Sequence, residues 1–453
     1  MDYFYNSSDD WFGNIKIKIM LKNKNIFFKK EILIYGLGKS GLSTYQYLKK
    51  KSNLYLFDDK KSFIKNITIK KKLISQKDIK NKKFDYIIIS PGIDINKCLL
   101  TKYLQKNLNK INTDLDVFYS LYDVNKNITI TGTNGKSTTA KILYNILKDQ
   151  KFDVRLVGNI GNPILLEKNI KKNTIFVIEA SSYQLEYSKL FSTNYAVILN
   201  ISPDHIERHK TLKNYIKAKF KLVKNQSSSG IAFLNVNNTH IKKEINKIKI
   251  ISKLIKIKKS VNPKFLQKID NPYFNTEGNR ENLSFIIEII KRFNIKKKFL
   301  YATLKNFKGL KYRQQIIHRS KNLTIINDSK ATSYSSSISI LKSLSNVHWI
   351  VGGLAKKHDK FLLSKNNCKT FKAYIFGKDK LIFLKQLKNV MNCQQFSNLV
   401  FLIKKILFDI KNDKDEKHNI ILFSPAAASF DGFKNFEDRG EYFNNLVKKL
   451  INA

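Results

Sequence analysis

ITITGTNGKSTT, at residues 128 to 139, is the stretch that decides the fold. A β-branched run leads into two glycines and then into a helix-like stretch, which is typical of a strand, a turn and the start of a helix. Gly132 and Gly135 permit a close approach of the backbone to phosphates. Lys136 can reach the outer phosphates, and the Ser137 hydroxyl can bind magnesium at the start of the helix. The stretch therefore predicts a phosphate-binding loop.

The loop departs from the strict GxxxxGK[ST] pattern at one position. Ile130 stands five residues before Gly135, where that pattern has its first glycine. The strand and helix on either side still favour phosphate binding over an ordinary glycine turn. The predicted nucleotide-binding residues of the loop are Gly132, Thr133, Asn134, Gly135, Lys136, Ser137 and Thr138.

Length and composition bound the rest. A chain of 453 residues predicts several domains, and we expect three, because one core usually organises ~100 to 200 residues. No apolar run approaches the ~18 residues that cross a bilayer, and the amino-terminal MDYFYNSSDDWFG is not a secretory signal. A soluble, cytoplasmic protein is expected. Cys98, Cys368 and Cys393 have no disulfide-framework or zinc-site spacing, so buried structural thiols are expected.

The charge balance allows two interpretations. The chain has 84 basic and 35 acidic residues, a net charge of +49, which can indicate a polyanion partner such as nucleic acid. The lysines are dispersed along the chain, however, and accompany abundant Ile and Asn with little Arg, Ala, Gly or Pro. This pattern favours a genome-wide compositional drift, so we expect no nucleic-acid partner.

Three segments each begin with a β-branched run, a glycine turn and a helix-like stretch, which is typical of α/β domains with parallel sheets. EILIYGLGKSGLSTYQYLKK begins the first, ITITGTNGKSTT the second, and LTIINDSK, VHWIVGG, KAYIFG and NIILFSPAAA belong to the third. We predict Rossmann-like domains at both ends and a central P-loop-like ATPase domain with a mostly parallel sheet. The predicted boundaries are an unassigned leader at 1–25 and domains at 26–122, 123–309 and 310–453. Between about 242 and 264, Lys and Ile leave helix and strand undecided.

Polar side chains follow the predicted central strands IFVIEA and YAVILN. They are Glu179, Ser181 and Ser182 after the first strand, and Asp204 and His205 after the second. Such groups beside a phosphate loop could hold divalent cations between a triphosphate and a second substrate. The alternatives are an ordinary histidine and a helix-capping Asp204.

Lys219 lies fourteen residues beyond His205 on a predicted helix that also carries Lys213, Lys217 and Lys221. The pattern does not distinguish among these lysines, and a solvated lysine face is the plain alternative. In the third segment, cationic, hydroxyl and aromatic side chains follow successive strands, which is typical of a pocket for a small dicarboxylate. The residues of that predicted pocket are Asp328, Lys330, Thr332, Lys356, Ser429, Phe430 and Phe436.

The motifs together resemble those of the Mur ligases of peptidoglycan synthesis. TGTNGKST, EASSYQLE, NISPDHIERH, NDSKATS, GG-x-x-K and SPAAASFDGFKNFEDRG occur in that family's order from about Ile32 to the C-terminus. The last motif is most similar to that of the members that add D-glutamate to UDP-N-acetylmuramoyl-L-alanine, and the DNPR signature of other members is absent. The resemblance implies ATP-dependent formation of an amide bond through an acyl phosphate, in cell-wall synthesis.

The resemblance also implies a role for individual residues. Lys136, His205 and Lys219 would be catalytic, with Ser137, Glu179, His205 and a carbamylated Lys219 holding two Mg²⁺ ions. ATP would further contact Asn279, Asn282, Arg313 and Asp328. The UDP substrate would contact Lys39, Ser40, Asp58, Asp59, Lys60, Gly92, Asn159 and Ser181, so GLGKSG would serve UDP and not a dinucleotide. D-glutamate would contact Lys330, Thr332, Lys356, Ser429, Phe430 and Phe436.

The sequence departs from the family's pattern at one position, and it allows three other interpretations of function. The family's adenine-binding HNxxN is GNREN here, with Gly278 in place of the histidine, which predicts weaker ATP binding or a shifted alignment. A folate-extending or other muramoyl-peptide ligase is the alternative enzyme, and a basic nucleic-acid-binding ATPase is an alternative of another class. A degenerate enzyme is the third, against which the intact motif residues argue. We expect a monomer with no membrane span.

Overall fold

The computed structural model describes residues 25–60, 67–258, 261–356, 359–413 and 417–451. The described residues form two compact units, the first made of 25–258 and 284–299 and the second of 261–283 and 300–451. They contain three sheets flanked by helices, with mostly parallel strands. The predicted α/β class is therefore confirmed, whereas the predicted leader at 1–25 lies almost wholly outside the described residues.

The first sheet has the strand order β2-β1-β3-β4, and its strands pair in parallel. The strands are β1 (Glu31–Tyr35), β2 (Asn53–Phe57), β3 (Tyr86–Ile89) and β4 (Ile111–Asn112). The helices are α1 (Lys39–Leu48), α2 (Ile67–Lys70), α3 (Gln76–Asn81), α4 (Thr101–Lys106) and α5 (Asp114–Tyr122), with a 3-10 turn at Leu108–Lys110. The apolar run of β1 is buried on both faces, as a parallel sheet between helices requires.

The second sheet, in the same unit, is parallel and has the order β10-β9-β8-β5-β7-β6. Its strands are β5 (Asn127–Thr131), β6 (Val154–Gly158), β7 (Ile175–Glu179), β8 (Tyr195–Ile198), β9 (Ile231–Asn235) and β10 (Lys253–Ile257). The helices are α6 (Lys136–Asp149), α7 (Ser182–Tyr187), α8 (Ile206–His209), α9 (Leu212–Lys224) and α10 (Thr239–Ile245), with a 3-10 turn at Ile164–Leu166. The central strands β5 and β7 are buried throughout.

Helix α5 joins the first two sheets within one unit. The ring of Phe118 packs edge-on against Phe176 of β7, with centroids 4.8 Å apart. Asp116, fully buried, accepts hydrogen bonds at Oδ1 from the Ser188 hydroxyl and from the backbone N–H groups of residues 189, 190 and 191. A buried carboxylate with this many donors fixes the helix against the second sheet.

The third sheet, in the second unit, has the order β11-β12-β16-β13-β14-β15, with only the β11–β12 pairing antiparallel among its described pairs. The strands are β11 (Gln315–Arg319), β12 (Leu323–Asn327), β13 (Val347–Gly352), β14 (Phe371–Phe376), β15 (Asn392–Gln395) and β16 (Asn419–Phe423). Helices α14 (Tyr334–Leu341), α15 (Lys380–Leu387), α16 (Leu399–Lys411) and α17 (Phe436–Ile451) accompany them, with a 3-10 turn at Lys365–Cys368.

The segment between the second and third sheets is helical. It contains α11 (Pro263–Ile269), α12 (Glu277–Ile290) and α13 (Lys297–Lys305), with a 3-10 turn at Pro272–Asn275. The Lys-rich stretch that the sequence left undecided forms the end of α10, strand β10 and the start of α11. Within the described residues, no helix combines the length and the hydrophobicity that crossing a bilayer requires.

Candidate active site

The predicted phosphate loop joins the end of β5 to the start of α6. Gly132 has φ 153° and Gly135 has φ 83°, a left-handed conformation that side chains with a Cβ rarely adopt. A Cβ on Gly132 would lie 3.1 Å from the Cβ of Leu199, so the loop also needs glycine for space. Gly135 is the N-cap of α6 and provides no side-chain cap, which leaves the first helical N–H groups for a ligand anion.

Lys136 and Asn200 shape this loop. The Lys136 ammonium donates hydrogen bonds to the carbonyl oxygens of Gly132 (2.9 Å) and Thr133 (2.8 Å). The side-chain oxygen of Asn200 accepts from the backbone N–H of Asn134 at 2.8 Å. The cation therefore lies over the loop, where outer phosphates of a nucleotide would bind. Asn200, which the sequence reasoning missed, lies just after β8, the neighbour of β5.

Ser137 and Glu179 form a buried pair behind the loop. The Ser137 hydroxyl donates a hydrogen bond of 2.7 Å to Glu179 Oε2, and each side chain is 1% exposed. Glu179 is the last residue of β7, the neighbour of β5, so the parallel pairing brings the two groups together. The other carboxylate oxygen accepts a hydrogen bond of 3.0 Å from the amide of Asn159. The pair offers a hydroxyl and a carboxylate oxygen, which are ligands that magnesium prefers.

Lys219 is buried, unlike the other four lysines of its helix. It is 1% exposed on α9, whereas Lys213 and Lys217 are exposed and Lys221 is half-buried. Its ammonium nitrogen donates to the carbonyl of Gly132 at 2.8 Å and lies 4.6 Å from the centroid of the Tyr215 ring. A solvated lysine face is therefore the wrong interpretation for Lys219.

The surroundings of Lys219 perturb its titration. Burial lowers the pKa of Lys219 well below its ordinary value, and the charge of Lys136 lowers this pKa further. The carboxylates of Asp204 and Glu179 oppose the shift. These four groups therefore lie in one electrostatic neighbourhood around the phosphate loop. A lysine with a lowered pKa has a larger neutral, nucleophilic fraction at physiological pH.

His205 lies in the turn before α8. It is the N-cap of this helix, has a left-handed φ of 56°, and its Nε2 lies 3.3 Å from Asp204 Oδ2. A non-glycine residue in this conformation is strained, which is common at functional sites. Asp204 is not the cap, so the helix-capping alternative for it is wrong. The centroid of the His205 ring lies 5.0 Å from that of the Tyr183 ring.

The described residues contain no cluster of three or more His, Cys, Asp or Glu side chains that could hold a metal ion.

Ser181 and Ser182 have structural partners at the start of α7. The Ser181 hydroxyl accepts a hydrogen bond from the backbone N–H of Gln184 and forms a capping box with its side chain. The Ser182 hydroxyl lies 2.9 Å from Nε2 of His209, a buried histidine whose pKa is lowered to about 4, first by burial and then by Arg208. The sequence reasoning missed His209. The helix α8 has only four residues, which is too short to show a helical periodicity of apolar positions.

The acidic residues after β2 hold the glycine turn of the first sheet. Asp58 is buried and accepts hydrogen bonds from the backbone N–H groups of Leu37 (2.6 Å) and Lys60 (2.9 Å). Asp59 Oδ1 accepts from the Tyr35 hydroxyl at 2.5 Å. The other predicted residues of this site lie at the same ends of the strands: Lys39 and Ser40 begin α1, and Gly92 lies in the loop after β3.

In the second unit, Asp328 follows β12 and is buried. Its two oxygens accept hydrogen bonds from the backbone N–H of Gln314 (3.1 Å) and from the Ser424 hydroxyl (2.9 Å). Burial raises the pKa of this carboxyl to about 7, and the Ser424 hydrogen bond opposes the shift. Arg313, in the turn before β11, also lowers this pKa and is therefore close to Asp328.

The structure brings Lys330 and Phe436 together. The ammonium nitrogen of Lys330 lies 3.8 Å from the centroid of the Phe436 ring, a cation–π contact. Buried Arg439, which the sequence reasoning missed, donates to the Ser329 hydroxyl (3.0 Å) and to the Ala427 carbonyl (3.0 Å). It thus joins the loops that carry Lys330 and Ser429.

The remaining predicted residues of this pocket differ in exposure. Ser429 is buried, Thr332 half-buried, and Phe430 72% exposed. Lys356 is exposed and lines an open cavity of about 520 Å³. The other residues that line this cavity are Ala355, Asp359, Lys360, Phe361, Ile382 and Gln386.

The GNREN motif begins α12. The amide of Asn279 donates to the carbonyl of Tyr273 (2.8 Å) and to Oε1 of Gln314 (3.0 Å), and Asn282 is buried. A Cβ at Gly278 would lie 3.2 Å from the hydroxyl of Ser339, so a larger residue there requires this neighbour to move. The histidine that the family has at this position would therefore be crowded by Ser339 in this chain.

Comparison with known proteins identifies the family of this chain. Residues 130–300 match the family model described as the Mur ligase middle domain. A UDP-N-acetylmuramoylalanine--D-glutamate ligase of Rickettsia prowazekii (strain Madrid E) is 32% identical over 445 residues, which cover 94% of this chain and 99% of the relative. The chain belongs to the Mur ligase family. A ligase of the same name from Francisella tularensis subsp. novicida (strain U112) is 34% identical over 373 residues, covering 81% of this Mur ligase and 86% of the relative.

Solved structures resemble this Mur ligase over most of its length. The UDP-N-acetylmuramate-alanine ligase of Thermotoga maritima matches 93% of the chain and 99% of its own length, with a TM-score of 0.54. The MurF ligase of Thermotoga maritima in complex with ADP matches 94% and 97%, with a TM-score of 0.53. At 14% identity, these two structures establish the shared fold alone. By its family, the protein is an ATP-dependent ligase of peptidoglycan precursor synthesis.

Proposed function

We propose that this Mur ligase joins D-glutamate to UDP-N-acetylmuramoyl-L-alanine through an acyl phosphate, with ADP and phosphate as the other products. The observation that carries the proposal is the buried Ser137–Glu179 pair behind a phosphate loop in a chain that aligns with D-glutamate ligases over nearly their whole length. The pair supports ATP use with a divalent cation. The relatives' name supports the choice of the two substrates other than ATP.

The phosphate end of ATP would bind at residues 132–138. Lys136 would turn from the loop carbonyls toward the outer phosphates, and the N–H groups at the start of α6 would donate to them. Ser137 and Glu179 fit magnesium in their donor chemistry, and His205 would help to hold a second ion. When bound, magnesium neutralises charge on the transferring phosphoryl group.

Two bond exchanges would follow. An oxygen of the L-alanyl carboxylate attacks the γ-phosphorus, the bond from that phosphorus to the bridging oxygen breaks, and ADP leaves. The neutral amine of D-glutamate then attacks the acyl carbon, its nitrogen releases one proton, and the tetrahedral intermediate expels phosphate as the amide forms. Lys136 would stabilise the negative charge that accumulates on phosphoryl oxygens in the first step. Binding both substrates in one orientation supplies much of the remaining acceleration.

Lys219 would act as a carbamate. Its neutral amine attacks CO₂, a nitrogen–carbon bond forms and one proton is released, which leaves a carboxylate in place of an ammonium. The lowered pKa of Lys219 supports this role, because only the neutral amine can attack. The carbamate would supply the oxygen ligand that the described His, Cys, Asp and Glu side chains do not provide as a cluster.

The second unit would bind the amino acid and contribute the remaining contacts to the nucleotide. Asn279, Asn282, Arg313 and Asp328 would bind ATP. Lys330, Thr332, Lys356, Ser429, Phe430 and Phe436 would bind D-glutamate. The contact of Lys330 with the Phe436 ring supports a common site for these two residues.

The first sheet would bind the UDP moiety. Lys39, Ser40, Asp58, Asp59, Lys60 and Gly92 lie at the carboxyl ends of its strands, where open parallel sheets bind ligands. Asn159 and Ser181 would contact the muramoyl part. In this proposal the three domains are 26–122, 123–309 and 310–453. The enzyme would be a cytoplasmic monomer that does not bind nucleic acid.

Phosphate release tests the proposal. Purified protein with ATP and magnesium should release phosphate only when UDP-N-acetylmuramoyl-L-alanine and D-glutamate are both present, with L-glutamate as the matched control. Equal turnover with another amino acid would contradict the assignment. A DNA mobility shift at physiological salt, with DNA-stimulated ATP hydrolysis, would favour the nucleic-acid alternative instead.

A further inference from the structure

Arg208 connects the second sheet's active-site turn to a loop of the first sheet. It lies on α8, three residues after His205, and is 8% exposed. Its guanidinium donates from Nη1 to Asp94 Oδ1 (2.8 Å) and from Nη2 to the carbonyl of Ile93 (2.9 Å). Two such bonds from a planar, rigid fork fix the orientation as well as the distance of the loop.

The surroundings of Arg208 hold the guanidinium itself in place. Glu186 Oε2 lies 3.5 Å from Nη2, and the rings of Tyr183 and Tyr187 lie 5.4 and 5.6 Å from the central carbon. A buried arginine between carboxylates and aromatic faces has few alternative positions. The contact is therefore different from an exposed surface ion pair, which would contribute little and leave the loop mobile.

The loop that Arg208 holds carries Gly92, one of the residues proposed to bind the UDP substrate. At its start, the Ser90 hydroxyl donates a hydrogen bond of 2.6 Å to the carbonyl of Gly36, in the glycine turn after β1. At its end, Ile93 and Asp94 are bound by Arg208. Gly92 thus lies between one attachment to the first sheet and one to α8.

The other side of Arg208 is connected to His205, in the turn after β8. The backbone N–H of Arg208 donates to the carbonyl of His205 at 3.1 Å. The Tyr183 ring contacts both the guanidinium and the His205 ring. A displacement of Arg208 would consequently change the positions of both His205 and Gly92.

We propose that Arg208 is a positioning residue. By holding the loop that carries Gly92, it fixes the position of the UDP substrate relative to the phosphate loop. The inference rests on the proposed function, because it needs a substrate bound at Gly92 whose carboxylate must reach the γ-phosphate. Misplacing reactants by about 1 Å can cost on the order of 10²-fold in rate. Loss of Arg208 should therefore impair the use of the UDP substrate much more than the binding of ATP.

The test compares the steady-state kinetics of the wild-type enzyme with those of Arg208→Met, Arg208→Lys and Asp94→Asn. For Arg208→Met, we expect about tenfold higher KM for the UDP substrate and about ten- to hundredfold lower kcat, with the KM for ATP within about twofold of wild type. Arg208→Lys should recover only part of the loss, because an ammonium group does not reproduce the fork. Asp94→Asn, at the outer end of the contact, should shift the same constants by a smaller factor.

Arg155→Met is the matched control. Arg155 lies in the same unit and bridges two carboxylates, Asp153 and Glu167, without contact to the loop after β3. This variant should retain the wild-type KM for the UDP substrate. The double variant Arg208→Met with Asp94→Asn should lose no more than Arg208→Met alone, since both changes remove one connection.

The outcomes separate this inference from the proposed function. If the wild-type enzyme itself does not turn over the UDP substrate with D-glutamate, the proposed function fails. If the wild type is active, equal increases in KM for ATP and for the UDP substrate would overturn the positioning role, as would wild-type kinetics in Arg208→Met. Should Arg208→Met not fold, an unchanged KM for the UDP substrate in folded Asp94→Asn would overturn it as well.

Discussion

The Ser137 hydroxyl, at the start of α6, lies 2.7 Å from Glu179 Oε2, at the end of β7, and both side chains are withdrawn from solvent. The buried Glu179 carboxylate accepts a hydrogen bond from the Ser137 hydroxyl at one oxygen and from the Asn159 amide at the other. The carboxylate and the hydroxyl oxygen are ligands that magnesium prefers, which supports the proposal of a cation site here.

Glu179→Gln tests this relationship. The variant keeps the size of the side chain and an acceptor for Ser137 but removes the negative charge. We expect a loss on the order of 10²-fold or more in kcat/KM, with the magnesium concentration for half-maximal activity shifted upward. Glu244→Gln, on α10, should match the wild type. A variant with normal magnesium dependence would show that Glu179 serves the fold and not the cation.

Lys219→Met tests the effect of burying an amine. Because burial depresses the pKa of Lys219 in the folded state, the unfolded state binds more protons and folding is penalised at neutral pH. This penalty is complete below the folded-state pKa, shrinks as pH rises and disappears above the unfolded-state pKa. In CO₂-free buffer near pH 7, Lys219→Met should thus be more stable than wild type by about 1 to 3 kcal/mol, although inactive.

Denaturant unfolding between about pH 7 and pH 10 measures this effect. The stability difference between Lys219→Met and wild type should narrow as pH rises. Lys217→Met, on the exposed side of the same helix, should change stability by less than about 0.5 kcal/mol at every pH. Added bicarbonate should stabilise the wild type but not the Met variant. A bicarbonate effect that is equal in both proteins would argue against the carbamate.

Gly278→His tests the departure from the family's adenine motif. The Cβ of the new residue would meet the Ser339 hydroxyl at 3.2 Å, so we expect a cost of about 1 to 2 kcal/mol in stability and no gain in ATP affinity. Thermal unfolding and nucleotide titration measure the two quantities. Combining the change with Ser339→Ala should recover stability. Tighter ATP binding by Gly278→His alone would mean that this glycine weakens the natural enzyme.

Sequence reasoning was most successful where a motif coincides with the end of a strand. It predicted the three α/β segments and the phosphate loop, because hydrophobic strands and glycine turns leave strong local patterns. The edge strands β4, β6, β11 and β15 were not predicted. Of these, β11 and β15 are only partly buried and therefore carry no continuous apolar run. Asn200 and Arg439 were also missed, because their partners lie far away in sequence.

The apolar periodicity of α9 indicates the burial of Lys219. On α9, the buried residues Tyr215, Ala218, Leu222 and Val223 follow the helical spacing of an apolar face, and Lys219 lies within that face. Lys213 and Lys217 lie outside it and are exposed. A lysine at an apolar position of an amphipathic helix therefore identifies a buried amine from periodicity alone, before any family resemblance is considered.

Asp328→Asn tests the raised pKa of the buried carboxyl in the second unit. Its folded-state pKa of about 7 exceeds the ordinary value of 3.8, so the folded state binds more protons between these values and stability falls as pH rises through this window. Asparagine cannot ionise and can still accept from the Gln314 N–H. The stability of Asp328→Asn relative to wild type should thus increase by about 1 to 3 kcal/mol from pH ~5 to pH ~8.

Unfolding of the two proteins across this pH range, with Asp431→Asn as a control in the same unit, measures the difference. The control should change the free energy of unfolding by less than about 0.5 kcal/mol, since Asp431 is only half-buried. If Asp328→Asn also runs parallel to the wild type, the carboxyl titrates normally and its burial carries no electrostatic cost. If ATP binding requires the ionised form, the KM for ATP of the wild type should rise below about pH 7 and that of Asp328→Asn should be high and flat.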